Sequence, residues 1–239
     1  MLLTSYYNKT THTDKLWFES SNILYSEFVE DEHKNEGDLY VTFKGGATYK
    51  YKNVQITPDY LMFKHGGLDG SHGKALNTHI KPKYEFEKVE NKDVTQILNE
   101  RIEYAEKQIK ELKDNTYFIS GHRDITSSEF IKYKVAIQEI LNEKPDALFV
   151  VGDYEGADIM VQDYLIDELN INPQQVTVYH MFETARNINK GIQYTVSGFK
   201  TDEERDAAMT EVSGHDIAFV RNHTKWSGTA QNLLRRHLL

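Results

Sequence analysis

The sequence predicts an α/β chain: a small β-rich α+β unit, then a parallel sheet with helices on both faces. Three observations predict this. At 239 residues the chain exceeds the roughly 100–150 of a usual single domain, which favours two units. Residues 20–90 hold runs of β-branched and aromatic residues that alternate in polarity. From residue 116 onward, short continuous apolar runs alternate with helical stretches.

Residues 1–19 read as an N-terminal extension. "NILYSEFV", "DLYVTF" and "ATYKYKNV" then read as strands, and "KGG" between the last two reads as a hairpin turn. "TPDYLMFKHG" has the punctuation of a short helix, with Thr57 as cap, Pro58 in the first turn and Gly66 at the end. Residues 91–115 form a linking helix. Behind the cap Asp93, its residues Val94, Ile97, Leu98, Ile102, Ala105, Ile109 and Leu112 share a face at helical spacing. Such a stripe needs cover, so the helix is expected to pack as a strut.

Residues 116–239 form the second unit. "TYFIS", "ALFVV", "QVTVYH" and "DIAFV" are short apolar runs, followed by helical stretches at 126–142, 156–169, 201–212 and 227–238. Two-sided burial of such strands implies crossover connections and a parallel, Rossmann-like sheet.

The formal charge of −9 and the isoelectric point near 5.6 argue against a double-stranded nucleic-acid partner, which needs many phosphates neutralised. The absence of cysteine excludes disulfides, thiolate metal sites and cysteine nucleophiles. No run has the length of a signal peptide or a membrane span, so the expected setting is the cytoplasm, without a membrane partner. No cofactor and no metal are expected. His65 and His72 have no third ligand at metal-binding spacing.

In an open parallel sheet, ligands bind where the carboxyl ends of strands lead into helices. The first such loop here offers Gly121, His122 and Arg123. The second offers Gly152, Asp153, Glu155, Gly156 and Asp158, and the last offers Trp226, Ser227, Gly228 and Thr229. Glycines let backbone approach a ligand, and helix-start amides can hold phosphate. Asp153, Glu155 and Asp158 would repel phosphate but suit sugar hydroxyls, which need acceptors. The plain alternative is that acids in a first turn answer the helix dipole and that the glycines only turn the chain. Arg123, His122 and Arg205 offer cationic donors, with solvated or loop-stabilising roles as the alternative. Trp226 reads as a base-stacking ring or a core aromatic. No catalytic residue is singled out.

"FISGHRD", "VVGDYEGAD", "RDAAM", "DIAFV" and "SGTAQNLLRR", in that order, resemble the SLOG superfamily, the Rossmann-like group that includes Smf DNA-processing proteins and the cytokinin-activating LOG enzymes. The likeness spans about residues 116–239. It implies nucleotide-derived ligands at these loops, homo-oligomers, and in some members cleavage of an N-glycosidic bond. Those enzymes carry "PGGxGTxxE". Here the stretch is "TKWSGTAQN", and Asn232 stands where the acid would be. An amide cannot act as a carboxylate base or stabilise a cationic centre by charge. "SSNI", "LYVTFKGGATYKYKNV" and "HGKALNTHIKPKYE" resemble the KTSC domain over about residues 20–87.

The resemblance implies a protein that binds a small nucleotide-type ligand, of ADP-ribose or cyclic-nucleotide type, without turning it over. With no effector domain visible, it implies a sponge that sequesters an immune signal, as a viral anti-defence protein would. The alternative is an N-glycosidic-bond enzyme, a nucleosidase, phosphoribohydrolase or deoxyribosyltransferase-like protein, using Asp153, Glu155 or Asp158 with Arg123 on a phosphate.

Overall fold

The computed structural model describes residues 2–221 and 227–238. The chain divides into two compact units, residues 1–108 and 109–239.

The first unit is a six-stranded antiparallel sheet in simple sequential order: β1 (Leu2–Asn8), β2 (Thr13–Phe18), β3 (Ile23–Glu30), β4 (Glu36–Phe43), β5 (Thr48–Gln55) and β6 (Phe86–Val89). This corrects the expected N-terminal extension, because residues 2–18 supply the first two strands. β1 is an edge strand whose burial alternates without reaching full burial, so its polar-rich sequence hides the strand period. The "KGG" turn falls between β4 and β5, as its spacing predicts, with Gly46 at φ +83°.

One sheet face packs Leu16, Phe28, Leu39, Val41 and Tyr51 against Tyr60, Phe63, Leu76 and Ile80. The last four come from a wide turn (Ile56–Tyr60), two one-turn helices, α1 (Leu61–Lys64) and α2 (His72–Ala75), and the turn Leu76–Ile80. His72 lies inside this layer, its ring 4.5 Å from Phe18, with Nε2 3.3 Å from the Lys64 carbonyl. Helix α3 (Val94–Asp114) spans the division between the units. Within the first unit, Ile97 packs with Trp17 and Tyr25, and the Trp17 indole donates to the Ile97 carbonyl at 3.0 Å.

The second unit is a five-stranded, wholly parallel sheet of β7 (Thr116–Ser120), β8 (Leu148–Val151), β9 (Val176–Tyr179), β10 (Tyr194–Val196) and β11 (His215–Ala218), in the order β10-β9-β8-β7-β11. Four of these are the apolar runs of the sequence. β10 is a three-residue edge strand, exposed throughout, and offers no apolar run to find.

Side chains of odd number on β7, β8 and β11 join α4 (Ser127–Glu143) and α5 (Ala157–Asp163) in the main core, through Phe130, Tyr133, Ile137 and Val161. On the other face, Phe118 and Val150 meet Met209 of α6 (Asp202–Val212). Helix α7 (Gly228–Leu238) lies beside α6, with Arg236 reaching the Ser213 carbonyl at 2.6 Å and pairing with Asp216. The helix starts follow their sequence signals. Thr126 and Glu129 form a reciprocal capping box, Thr201 accepts from the Glu204 amide, and Ser227 accepts from the Ala230 amide. Among the described residues no helix is long and apolar enough to cross a membrane.

Candidate functional site

Strands β7 and β8 deliver their carboxyl-end loops to the same edge of the sheet as the start of α7, and the three enclose a cleft of about 370 Å3. Phe118 and Met209 form its apolar floor. Of the residues singled out from sequence, Gly121, His122, Arg123, Gly152, Asp158, Arg205, Ser227, Gly228 and Thr229 line it. Asp153, Glu155 and Gly156 do not, and Trp226 lies outside the described residues.

Asp153 is a correction. It is wholly buried below the cleft, and its carboxylate accepts from the Arg186 backbone amide at 2.9 Å and from Arg186 Nε at 3.0 Å. It also pairs with Arg186 Nη2, and with Arg205 Nη1 at 3.3 Å. Burial works against its charge, yet the Arg186 bonds and the two guanidinium charges hold it below the usual carboxylate range. Its lone pairs are spent on protein, so no sugar hydroxyl can use them. What Asp153 does instead is anchor the loop after β9, where Asn187 also bonds the Asp153 carbonyl at 3.0 Å. Glu155 is exposed and outside the cleft wall.

Gly156 is the second correction. It sits at φ +84°, and a Cβ there would overlap the Arg123 carbonyl, so the glycine allows two loops to touch. The first amide of α5, at Ala157, donates to the His122 carbonyl at 3.2 Å. That amide faces the first loop, and a phosphate cannot have it.

Arg205 is only 5% exposed and already committed. It bonds Asp206 at 3.0 and 2.7 Å and lies 2.9 Å from Asp202 as an ion pair. Arg123 is exposed, and among the described residues no carboxylate pairs with it. Its guanidinium stacks 3.5 Å from the centre of the Tyr154 ring, while Arg186 stands 3.8 Å from the same ring. Two planar groups at those distances must occupy opposite faces, so Tyr154 is clamped as a wall of the cleft. Tyr154, Arg186, Asp202 and Asp206 escaped sequence reasoning. Arg186 has no local signal, since its partner lies far back in the chain.

Asp158 stands apart from the other acids. Its carboxylate accepts the Tyr154 amide at 3.1 Å, and Gly152 lets it sit close, because a Cβ there would push the carboxylate aside. Part of its surface faces the cleft, yet the surrounding protein desolvates it and pushes it up to about 7. The Tyr154 amide and Arg205 oppose this, while Asp206 and Asp153 add to it. A carboxyl near neutrality can give or take a proton at pH 7. In the same cleft, Ser120 is 7% exposed, and its Oγ has no hydrogen-bond partner among the described residues.

Asn232 is 2% exposed. Its Nδ2 donates to Asp206 at 3.0 Å and its Oδ1 accepts from Arg235 at 2.8 Å. A carboxylate in its place would face Asp206, so the amide suits the position. At the start of α7, no atom of the described residues stands where a Gly228 Cβ would go. No group of three or more metal-ligating side chains occurs among the described residues.

No protein-family model matches the chain, and no curated protein matches it.

Proposed function

We propose that the second unit is a Rossmann-like, SLOG-type domain whose cleft captures a small nucleotide-derived ligand without cleaving it. The observation that carries this is the meeting of the β7 loop, the β8 loop and the start of α7 around one polar-walled, apolar-floored cleft. Among the described residues, Arg123 supplies a cation with no carboxylate partner, and nothing stands where a Gly228 Cβ would go at the start of α7, which leaves room for a phosphate. Asp158, rather than Asp153, is the acceptor for a sugar hydroxyl. Asn232, locked between Asp206 and Arg235, removes the acid on which LOG-type hydrolysis depends. On this reading the protein is a cytoplasmic homo-oligomer that sequesters a signalling nucleotide of ADP-ribose or cyclic type. The KTSC-like first unit is assigned no part in it.

The test is incubation with such nucleotides, followed by denaturation and mass measurement of what is released. Intact ligand supports capture. A second reading, N-glycosidic cleavage, is favoured by one feature, the Asp158 carboxyl that titrates near 7 inside the cleft. It predicts free base in the released fraction, and loss of that base in Asp158→Asn. Recovery of neither ligand nor base, with no thermal shift, would remove both readings.

A further inference from the structure

A second cavity adjoins the cleft at His122. From β7 the chain turns to α4 on one face of the sheet, while from the neighbouring β11 it continues to α7, which lies with α6 on the other face. Between two such strands the outgoing chain paths diverge and leave a crevice that opens to both faces. The second cavity, of about 340 Å3, occupies the α4 side, and His122 belongs to the wall of both. Either cavity alone sits at the small end of the roughly 300–1,000 Å3 usual for ligand sites.

The chemistry of the second cavity is distinct. Phe219 and Val220, each 36% exposed, give it an apolar wall at the carboxyl end of β11, and the Tyr133 ring meets Phe219 edge-on at 4.8 Å. Arg221 is held by Asp124 at 3.0 Å and by Glu129 at 2.8 Å. Lys132, by contrast, is exposed and pairs with no carboxylate among the described residues. An apolar wall beside an uncommitted ammonium suits a ring unit whose attached phosphate carries negative charge. The His122 imidazole lines both cavities and has its Nε2 buried without a hydrogen-bond partner among the described residues, so a turn of the ring toward a phosphate oxygen would supply the missing partner.

We infer that the ligand is two-headed: one nucleoside unit in the cleft, a phosphate link beside His122, and a second ring-bearing unit in the cavity between α4 and β11. This rests on the nucleotide-capture reading and narrows it, since a mononucleotide would leave the second cavity empty.

The test is calorimetric titration of the full chain with AMP, ADP-ribose and cyclic diadenylate, repeated on Lys132→Glu and Phe219→Ala. Lys132→Glu changes an exposed side chain and guards against a folding defect in Phe219→Ala. The expected result is that ADP-ribose or cyclic diadenylate binds at least about tenfold more tightly than AMP. In Lys132→Glu that advantage should shrink severalfold while AMP affinity stays within about twofold. Equal affinity for all three, or a loss in Lys132→Glu that AMP shares, overturns the two-headed ligand and leaves nucleotide capture standing. No binding of any of the three overturns both.

Discussion

Helices α5 and α7 begin with the same device in sequence, a glycine after a loop at the carboxyl edge of the sheet, and the structure uses the two glycines in opposite ways. Gly156 is held at positive φ with the Arg123 carbonyl where its side chain would be, and the amide that follows is bonded to His122. Gly228 has no positive-φ requirement and open space around its Cβ position. One glycine closes the gap between two loops, and the other leaves its helix start uncovered by any described residue. Glycine before a helix therefore marks close approach of something, and only packing says whether that something is protein.

The comparison is broken most directly at Gly156. Gly156→Ala has to hold a Cβ in a left-handed conformation, worth about 1–2 kcal/mol, and to push back the Arg123 backbone at an overpacking cost of about 1–3 kcal/mol. The expected loss is about 2–5 kcal/mol of unfolding free energy, read as a lower urea midpoint at unchanged slope. A loss under about half a kcal/mol would mean that the two loops can part freely and that the glycine serves something other than packing.

The same loop also holds two carboxylates of opposite character, Asp153 and Asp158. Burial desolvates both, but Asp153 bonds Arg186 and a backbone amide and pairs with Arg205, whereas Asp158 has one amide and the charge of Arg205 against two like-charged neighbours. Its folded value of about 7 lies above the roughly 3.9 of an unfolded aspartate. Between those values the native state keeps a proton that the unfolded chain has lost. The contribution of Asp158 to stability is therefore greatest at low pH and falls as pH rises from about 4 to 7. Asp158→Asn removes this slope and keeps an oxygen for the Tyr154 amide. Discounted for the part of the side chain that the cleft wets, its stability relative to the parent should rise by about 2–3 kcal/mol across that range. Chemical denaturation at several pH values checks it. A constant difference between the two proteins would show that Asp158 is solvated like any surface acid.

These contrasts also mark what the sequence can carry. The four apolar runs and the helices behind them are legible to within a residue or two, once the wide helical turn Tyr164–Glu168 that continues α5 is counted, because two-sided burial leaves a continuous signal in β7, β8, β9 and β11. The convergence of the three loops follows from the same pattern, since parallel strands send their loops to one edge. Strands β1 and β10 are not legible, being edges with exposed positions along their length. Nor is the fate of Asp153. Whether an acid after a strand faces a ligand or an arginine depends on where Arg186 returns in space, and nothing within a local window encodes that. Asn232 sits between these cases. The missing acid can be read from the motif, but the Asp206 carboxylate that makes an amide suitable there is visible only in the packed structure.

The smallest effect on stability and the sharpest test of the comparison come together at Gly228. Placed just after the Ser227 cap and free of steric demand, Gly228→Ala should leave stability unchanged or raise it by roughly 0.4–1 kcal/mol, because alanine restricts the unfolded chain more than glycine does. Binding should move the other way. If a phosphate approaches the first amides of α7, a methyl group standing in the open space beside them costs direct contact, and affinity for ADP-ribose should fall by about tenfold or more. Thermal denaturation and calorimetry on the same preparation separate the two readouts. An alanine that gains stability and keeps full affinity would show that the α7 start, like that of α5, holds no ligand, and would confine any site to Arg123, Ser120 and Asp158.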